Sequence, residues 1–346
     1  MLVMEANSGW GASKSDPVPP VSEEISWRIG ETTVYGTVTR LDDKRIHPAV
    51  VFIAGSGPTD RDWNSPLIPG TNGSGRLLAE ALASKGFVTL RYDKRVSGIH
   101  AKDNFPHLMG QTSMRSHLDE VQGAVNLLLS RADVDTKNIL ALTNSEGAVH
   151  ALNYERQADG PGFSGLVLTG PPGRSIEELA RAQVQAMLSA LPDSDRLMQL
   201  YEEAASDFAA GKSVDPDPAL PDGAKQLLLS LSTPANLPFT RELWDTDICP
   251  WLRNTNKPIL VVIGKKDIQV DYKLDGGRLE EAAKGKTNIT FVCPENANHV
   301  LKYEEKPRTQ LSPQDSLSYN ADGRILDQDV LRAIVEFMSR LARCEK

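Results

Sequence analysis

A serine in a tight turn is the first residue whose setting suggests chemistry. Residues 139–143 form a short, mostly apolar segment, typical of a strand buried on both faces, and Ser145 and Gly147 follow directly. A buried strand that runs through a small-residue turn into a helix is the setting of a nucleophile elbow, which holds a serine hydroxyl at the carboxyl end of the sheet. The same segment is compatible with a serine that only caps a crossover helix.

A carboxylate and a histidine follow Ser145 in the order that a catalytic triad of this kind requires. The apolar segment 259–263 ends shortly before Asp267, and the extended segment 289–292 precedes a loop that carries His299. Of the six histidines, only His299 lies downstream of Asp267. The order serine, acid, histidine, with each residue after a strand, predicts Ser145 as nucleophile, Asp267 as acid and His299 as base.

The loop that carries the acid offers two carboxylates, Asp267 and Asp271. Asp267 lies nearer the end of the strand, and we expect Val270 to turn inward and anchor the loop beyond it. A carboxylate that orients an imidazole must be held rigidly, and the position nearer the strand is the stiffer one. We therefore predict that Asp267, and not Asp271, is the partner of His299.

A glycine turn, Gly55-Ser56-Gly57, follows the apolar segment 48–54. Its backbone N–H groups are unobstructed, and the amides of Ser56 and Glu146 are the natural pair for an oxyanion hole. The alternative is a tight turn in which glycine supplies only backbone freedom. A dinucleotide-binding loop is excluded, because Asp60 stands where the third glycine of that motif belongs.

The rest of the chain predicts the elements that must position these residues. Short apolar segments alternate with segments of helical spacing, which predicts an α/β fold with a mostly parallel sheet covered by helices on both faces. The predicted strands are a hairpin over residues 25–29 and 34–41, then 48–55, 87–92, 139–143, 166–169, 259–263 and 289–292. The predicted helices are residues 76–84, 116–129, a segment after Ser145, 176–191, 197–210, 224–231 and 329–341.

Residues 172–257 contain no convincing strand and show helical spacing instead. We therefore divide the chain into a flexible leader over 1–22, a first core part over 23–171, a helical cap over 172–257 and a second core part over 258–346. An insertion between two strands emerges at the carboxyl edge of the sheet, where ligands bind. Our first interpretation of Met187 and Leu188 is that they seat the helix on the core, and the second is that they line the substrate pocket.

Composition excludes several classes of function. The 346 residues are 40% apolar and carry a net charge of −8, which is enough apolar content for a large core and too acidic for nucleic acid or an anionic membrane surface. No stretch approaches the roughly 18 apolar residues of a membrane span, and the amino terminus lacks the features of a secretory signal. The three cysteines show no metal-ligand spacing. We expect a cytoplasmic protein without metal or organic cofactor.

Two runs of charged residues are expected to hold loops in place. Residues 60–62 (DRD) and 93–95 (DKR) follow neighbouring strands, so their opposite charges are predicted to form ion pairs between the loops. His150, one turn into the helix after Ser145, is predicted to be packed or hydrogen-bonded. Cys249 and Cys293 have no neighbouring base in the sequence and receive no catalytic role.

Five motifs make the chain resemble the α/β-hydrolase superfamily and, more narrowly, bacterial serine carboxylesterases of the EstD type. They are residues 55–62 (GSGPTDRD), 90–95 (LRYDKR), 145–147 (SEG), 264–270 (GKKDIQV) and 298–299 (NH). The resemblance extends over residues 24–342 and implies hydrolysis of esters with small to medium acyl groups by Ser145, Asp267 and His299. Thr143 and Asn144 replace the usual Gly-His before the serine, and Ala54 replaces a usual histidine. These departures lie beside the reaction centre and bear on substrate range.

Two other functions remain open on the sequence. The same triad serves acyl-peptide, amide and thioester hydrolases, and the fold does not decide between these substrates. A protein of this fold that only binds a ligand would lack a triad member, and none is missing here. A haloalkane-type mechanism is excluded, because it needs aspartate at position 145. The expected partner is a small-molecule ester, and the oligomeric state is left open.

Overall fold

The computed structural model describes residues 19–157, 160–189 and 191–343. In these residues eight strands form one sheet, in the order β1-β2-β4-β3-β5-β6-β7-β8. The strands are β1 (Pro20–Ile29), β2 (Thr32–Leu41), β3 (His47–Ile53), β4 (Val88–Tyr92), β5 (Val134–Asn144), β6 (Gly165–Thr169), β7 (Ile259–Val262) and β8 (Ile289–Val292). The pairs β1–β2 and β2–β4 are antiparallel, and all the others are parallel. The prediction of a mostly parallel sheet is confirmed.

Helices pack on both faces of this sheet, and further helices pack mainly against one another. They are α1 (Ser74–Ala83), α2 (Ala101–Leu108), α3 (Met114–Leu129), α4 (Gly147–Gln157), α5 (Ile176–Leu188), α6 (Ser194–Ala209), α7 (Asp222–Leu231), α8 (Phe239–Trp244), α9 (Cys249–Asn254), α10 (Leu274–Ala282) and α11 (Gln328–Arg343). None of the described helices is both long and apolar enough to cross a membrane.

The core has two layers, one on each face of the sheet. Alternate residues of a strand point to opposite faces, so Val51 and Ile53 of β3 pack in one apolar cluster while Val50 and Phe52 pack in the other. The first cluster lies under α3, α4 and α10, and the second lies under α1 and α11. Because both faces are covered, the central strands are continuously apolar, as their sequence indicated.

The elements that the sequence missed are short or interrupted. α2 contains Pro106, α8 and α9 have six residues each, and α10 carries Gly276 and Gly277. Proline and glycine inside a helix reduce its intrinsic stability, so contacts with the rest of the fold must hold these segments. β1 begins at Pro20, inside the predicted leader 1–22. Proline can stand at the first position of an edge strand, because no N–H donor is needed there. The rest of that leader, residues 1–18, lies outside the described residues.

Helices α5 to α9 lie between β6 and β7 in the chain, within the segment predicted as an insertion. Helices α5, α6 and α7 share an apolar cluster with Trp244 of α8 that is separate from the two clusters of the sheet. The proposed role of this segment as a cap, and the predicted boundaries at 172 and 257, stay predictions.

Candidate active site

Ser145 lies in a strained turn between β5 and α4. Its φ angle is +52°, in the left-handed region that residues with a side chain rarely adopt, and its amide is fixed by a 2.8 Å hydrogen bond to the carbonyl oxygen of Thr169. A Cβ atom at Gly147 would overlap the carbonyl oxygen of Ile53. The first turn of α4 can therefore lie this close to β3 only because residue 147 is glycine. This local geometry is that of a nucleophile elbow.

His299 and Asp267 form a buried hydrogen-bonded pair. Nδ1 of the imidazole lies 2.8 Å from Oδ2 of Asp267, and the carboxylate is 1% exposed. The other carboxylate oxygen accepts the backbone N–H groups of Gln269 and Val270, at 2.8 and 2.9 Å. Because the carboxylate accepts from Nδ1–H, the proton is held on that nitrogen and Nε2 is free to act as an acceptor.

Asp271 is engaged elsewhere. Its carboxylate accepts the backbone N–H groups of Lys273 and Leu274 and forms a 2.9 Å ion pair with Arg308. The structure therefore brings Asp267 to His299 and places Asp271 at the start of α10. Val270, between the two carboxylates, is buried in the core, as the sequence predicted.

Asn144 and Gly170 bring the histidine loop against the elbow. The side-chain amide of Asn144 donates a 3.1 Å hydrogen bond to the backbone carbonyl of His299. A Cβ atom at Gly170, whose φ is +53°, would lie 3.3 Å from the imidazole ring. Asn144 was noted in the sequence only as a departure from the usual motif, yet it joins the two loops that carry the nucleophile and the base.

Ser145 and His299 line one cavity, with a volume of about 240 Å³. Ser56, Trp63, Val300 and Tyr319 are among the other residues that line it. A larger cavity of about 730 Å³ lies next to it and shares Pro58, Ser65 and Ile68 with it; charged side chains supply much of its lining. The predicted nucleophile, base and one oxyanion donor are thus brought together.

The structure does not bring Met187 and Leu188 to this cavity. Leu188 is 1% exposed and packs inside the apolar cluster of α5, α6 and α7, whereas Met187 is 43% exposed. Among the described residues, none from the predicted insertion lines the cavity. Leu188 has the correct spacing for an apolar helix face, but that face is turned toward the neighbouring helices.

The amides of Ser56 and Glu146, which the sequence predicts as an oxyanion hole, are both without a hydrogen-bond acceptor within the described part of the chain. Ser56 lies in the cavity wall, and Glu146 directly follows Ser145 at the start of α4. Two free N–H groups beside a nucleophile are what a developing oxyanion requires.

Comparison with known proteins bears on the fold and on the resemblance noted in the sequence. No protein family model matches the chain. Over 286 residues, which are 81% of this chain, it is 24% identical to esterase EstD of Thermotoga maritima, and the match spans only 60% of that esterase. The α/β-hydrolase GrgF of Penicillium sp. sh18 superposes with a TM-score of 0.54 at 15% identity, over 94% of this chain and 99% of that one. An esterase of Rhizomucor miehei superposes with a TM-score of 0.52 at 15% identity, over 95% and 86% of the two chains.

The chain has the α/β-hydrolase fold. The resemblance to EstD-type proteins that the sequence motifs indicated is also confirmed.

In this α/β-hydrolase fold, ion pairs hold the loops that follow β3 and β4, as the sequence predicted. The guanidinium of Arg61 binds Asp93 at 2.8 Å, and the carboxylate of Asp93 also accepts the backbone N–H of Arg61. Arg91, on β4, forms an ion pair with Asp62. These contacts tie the segment after Gly57 to the strand beside it.

A buried ionic network lies beneath the elbow. Oε1 of Glu146 lies 3.2 Å from Nε2 of His150 and 3.8 Å from Nζ of Lys94. Burial by itself raises the pKa of Glu146, but the charge of Lys94 and the hydrogen bond from His150 outweigh it, so the pKa falls to about 2. Burial and, after it, the charge of the neighbouring His117 ring lower the pKa of His150 to about 4, although the hydrogen bond with Glu146 acts to raise it. His150 is therefore neutral near pH 7, and the prediction that it is hydrogen-bonded is confirmed.

Several residues of the cavity wall carry no sequence signal. Trp63 reaches it from a loop in which its φ angle is +66°, and Tyr319 reaches it from the end of a short 3-10 helix over Pro313–Ser318. Burial raises the pKa of the Tyr319 hydroxyl well above its usual value. Neither residue lies at a strand end or in a recognisable motif, so only the folded loops identify them.

Proposed function

We propose that this chain is a serine hydrolase that cleaves carboxylic esters with small to medium acyl groups. The observation that carries the proposal is the buried 2.8 Å contact between His299 and Asp267, because His299 also lines the cavity that Ser145 lines. The strained φ of Ser145 supports it, because such strain is kept where a turn must present a side chain.

In the proposed acylation step, Nε2 of His299 accepts the proton of Ser145 as Oγ attacks the acyl carbon. Asp267 keeps the proton on Nδ1 and stabilises the imidazolium that forms. The amides of Ser56 and Glu146 bind the tetrahedral oxyanion, at about 3–4 kcal/mol for each donor. The imidazolium then gives this proton to the alcohol oxygen of the ester as the bond between that oxygen and the acyl carbon breaks. The alcohol leaves, and an acyl-serine remains.

In the proposed deacylation step, water takes the place of the alcohol. His299 accepts a proton from the water as its oxygen attacks the acyl-serine, and the same two amides bind the second oxyanion. When the tetrahedral species collapses, the proton returns to Oγ of Ser145 and the carboxylic acid leaves. The net reaction consumes one water and needs no further co-reactant.

One observation favours an ester and a second favours a small acyl group. The relative from Thermotoga maritima is named an esterase, and the match to it covers 81% of this chain. The cavity beside Ser145, at about 240 Å³, is smaller than the roughly 300–1,000 Å³ of pockets that hold drug-sized molecules. The adjoining cavity of about 730 Å³ is the natural place for a larger alcohol group.

The proposal is tested with purified protein on nitrophenyl esters of increasing chain length, on acyl thioesters and on amino-acid anilides. We expect ester hydrolysis that is lost in Ser145→Ala, which exchanges one small side chain for another and leaves the fold intact. An organophosphonate should label Ser145 alone. Turnover confined to anilides would assign the chain to the peptide hydrolases. Active protein that takes up no label at Ser145 would overturn the mechanism.

A further inference from the structure

Lys94 is a buried lysine with an unusual hydrogen-bond partner. It follows β4 and is only 4% exposed, and its ammonium donates a 2.6 Å hydrogen bond to the backbone carbonyl of Gly55. Burying a charged group is costly unless partners replace water, so the position of Lys94 demands an explanation. In the sequence it was only one member of a charged run.

The carbonyl that Lys94 binds belongs to the same peptide group as the N–H of Ser56. In a trans peptide these two groups lie in one plane and point in opposite directions. Because Lys94 holds the carbonyl oxygen of Gly55, the N–H of Ser56 points the opposite way, away from the ammonium of Lys94. A hydrogen bond to the carbonyl also polarises the peptide and strengthens its N–H as a donor.

The side chain of Glu146, whose amide is the second proposed oxyanion donor, is the counter-ion of Lys94. Its ammonium is 3.8 Å from Oε1 of Glu146, whose amide is the other free N–H beside Ser145. Glu146 is anionic near neutral pH, because Lys94 and His150 together overcome the effect of burial on its pKa. One cation thus contacts the backbone of the glycine turn and the side chain of the residue after the nucleophile.

We propose that Lys94 is a positioning residue that holds the two halves of the oxyanion hole, the Gly55–Ser56 peptide and Glu146, in their working arrangement. The inference rests on the proposed serine-hydrolase function, in which those two amides bind the oxyanion. Lys94 touches neither substrate nor the reacting atoms; it acts through the peptide group that it anchors.

Arg95 provides a matched control. It is the next residue, it is also buried, and it is paired with a buried carboxylate, Glu120, at 3.0 Å. The other hydrogen bonds of its side chain go to Thr32 and to the backbone of Ser116, which do not line the cavity. Removing Arg95 therefore disturbs the same buried ionic region without releasing the carbonyl of Gly55.

The experiment compares Lys94→Met with Arg95→Met in the full chain. An unanchored oxyanion donor lowers turnover without weakening ground-state binding, so we expect kcat to fall about 100- to 1,000-fold in Lys94→Met, with KM within threefold. Phenylboronic acid, whose adduct with serine mimics the tetrahedral species, should lose affinity by a matching factor. Arg95→Met should lower the melting temperature while kcat stays within threefold.

Lys94→Met leaves Glu146 buried without its counter-ion, which endangers folding. If that variant is not folded by circular dichroism, Lys94→Met/Glu146→Gln takes its place, because it removes both charges; the same loss of kcat and of boronate affinity is expected.

Wild-type kcat in a folded Lys94 variant would overturn the inference, and so would an equal loss of kcat in Lys94→Met and Arg95→Met. In both cases Ser145→Ala would remain inactive and the proposed function would stand. A wild-type protein that hydrolyses no acyl substrate would instead overturn the proposed function itself.

Discussion

The interior beneath the elbow and the interior of the helices between β6 and β7 are built differently. Beneath the elbow, Lys94 is buried beside Glu146 and Arg95 is buried beside Glu120, so these four charges form two opposite pairs, and the neutral His150 contacts Glu146. In the described part of α5 to α8, no charged side chain is buried, and the cluster consists of aliphatic and aromatic residues.

This difference shows what each region must specify. Apolar packing is non-directional, so the helices need only fill their shared volume. Hydrogen bonds and ion pairs are directional, and beneath the elbow they fix the orientation of a peptide group and of the turn that carries the nucleophile. Directional interactions are concentrated where ångström-scale placement matters for the proposed chemistry.

The strongest test of this contrast is the choice between two carboxylates. Asp267→Asn should lower kcat by about 10⁴-fold, because the amide no longer selects the required imidazole tautomer. Asp271→Asn should change kcat less than threefold, since its partners are backbone amides and Arg308. Steady-state kinetics at equal folded fraction decide the matter. A larger loss in Asp271→Asn would transfer the role to that residue.

On the apolar side, truncation should affect stability alone. Leu188→Ala should lower the free energy of unfolding by about 2–5 kcal/mol, because it leaves a cavity in a packed cluster. The order of preference among ester substrates should stay unchanged, as the side chain does not line the cavity. Met187→Ala, at a largely exposed neighbouring position, is the control and should cost less. A changed substrate preference in Leu188→Ala would show that this helix reaches the substrate.

The charged interior should make the fold sensitive to acid. The pKa of His150 is about 4 in the folded chain and has an ordinary value of 6.5 in the unfolded chain. As the pH falls from 6.5 to 4, the unfolded chain gains a proton that the folded chain does not, so the free energy of unfolding should fall by about 3 kcal/mol.

Further stability should be lost between pH 4.5 and 2, because in this range Glu146 is protonated in the unfolded chain but still ionised in the folded chain. Urea titrations at pH 7 and at pH 4.5 measure the effect, and His150→Gln should remove the part above pH 4.5. If the free energy of unfolding of His150→Gln fell between pH 7 and pH 4.5 as much as that of the wild type, another group would be the cause of the acid sensitivity.

The smallest expected effect concerns the cavity wall. Val300 follows the proposed base and lines the cavity, so Val300→Ala should enlarge the space beside the acyl group. We expect kcat/KM to shift toward the next longer nitrophenyl ester by about 10-fold, the effect of roughly one methylene group in an apolar pocket. A shift toward shorter chains would place the acyl group on the other side of Ser145.

The sequence predicted the central strands well, because a strand buried on both faces is a continuous apolar run. It also indicated Ser145 and Asp267 as candidates, since each follows such a run, and His299 because it is the one histidine downstream of Asp267. Trp63 and Tyr319 were beyond its reach, because their place in the cavity depends on how long loops fold back over the sheet. The contact between Lys94 and Gly55 joins the ends of neighbouring strands and leaves no spacing to detect.

Leu188 illustrates the opposite failure. Its spacing correctly placed it on the apolar face of a helix, but spacing does not say which neighbour that face meets. Its contacts are with other helices of the same segment, where the sequence had suggested a substrate pocket.

β7 pairs with β6 although helices α5 to α9 separate the two strands in the chain, and this has a consequence during synthesis. β6 leaves the ribosome long before β7, and at roughly 5–20 residues per second it waits several seconds for its neighbour. During that interval the edge of an apolar strand is unpaired, a form that invites wrong partners. We expect nascent chains halted before residue 259 to be far more sensitive to protease within 165–169 than chains halted beyond 300.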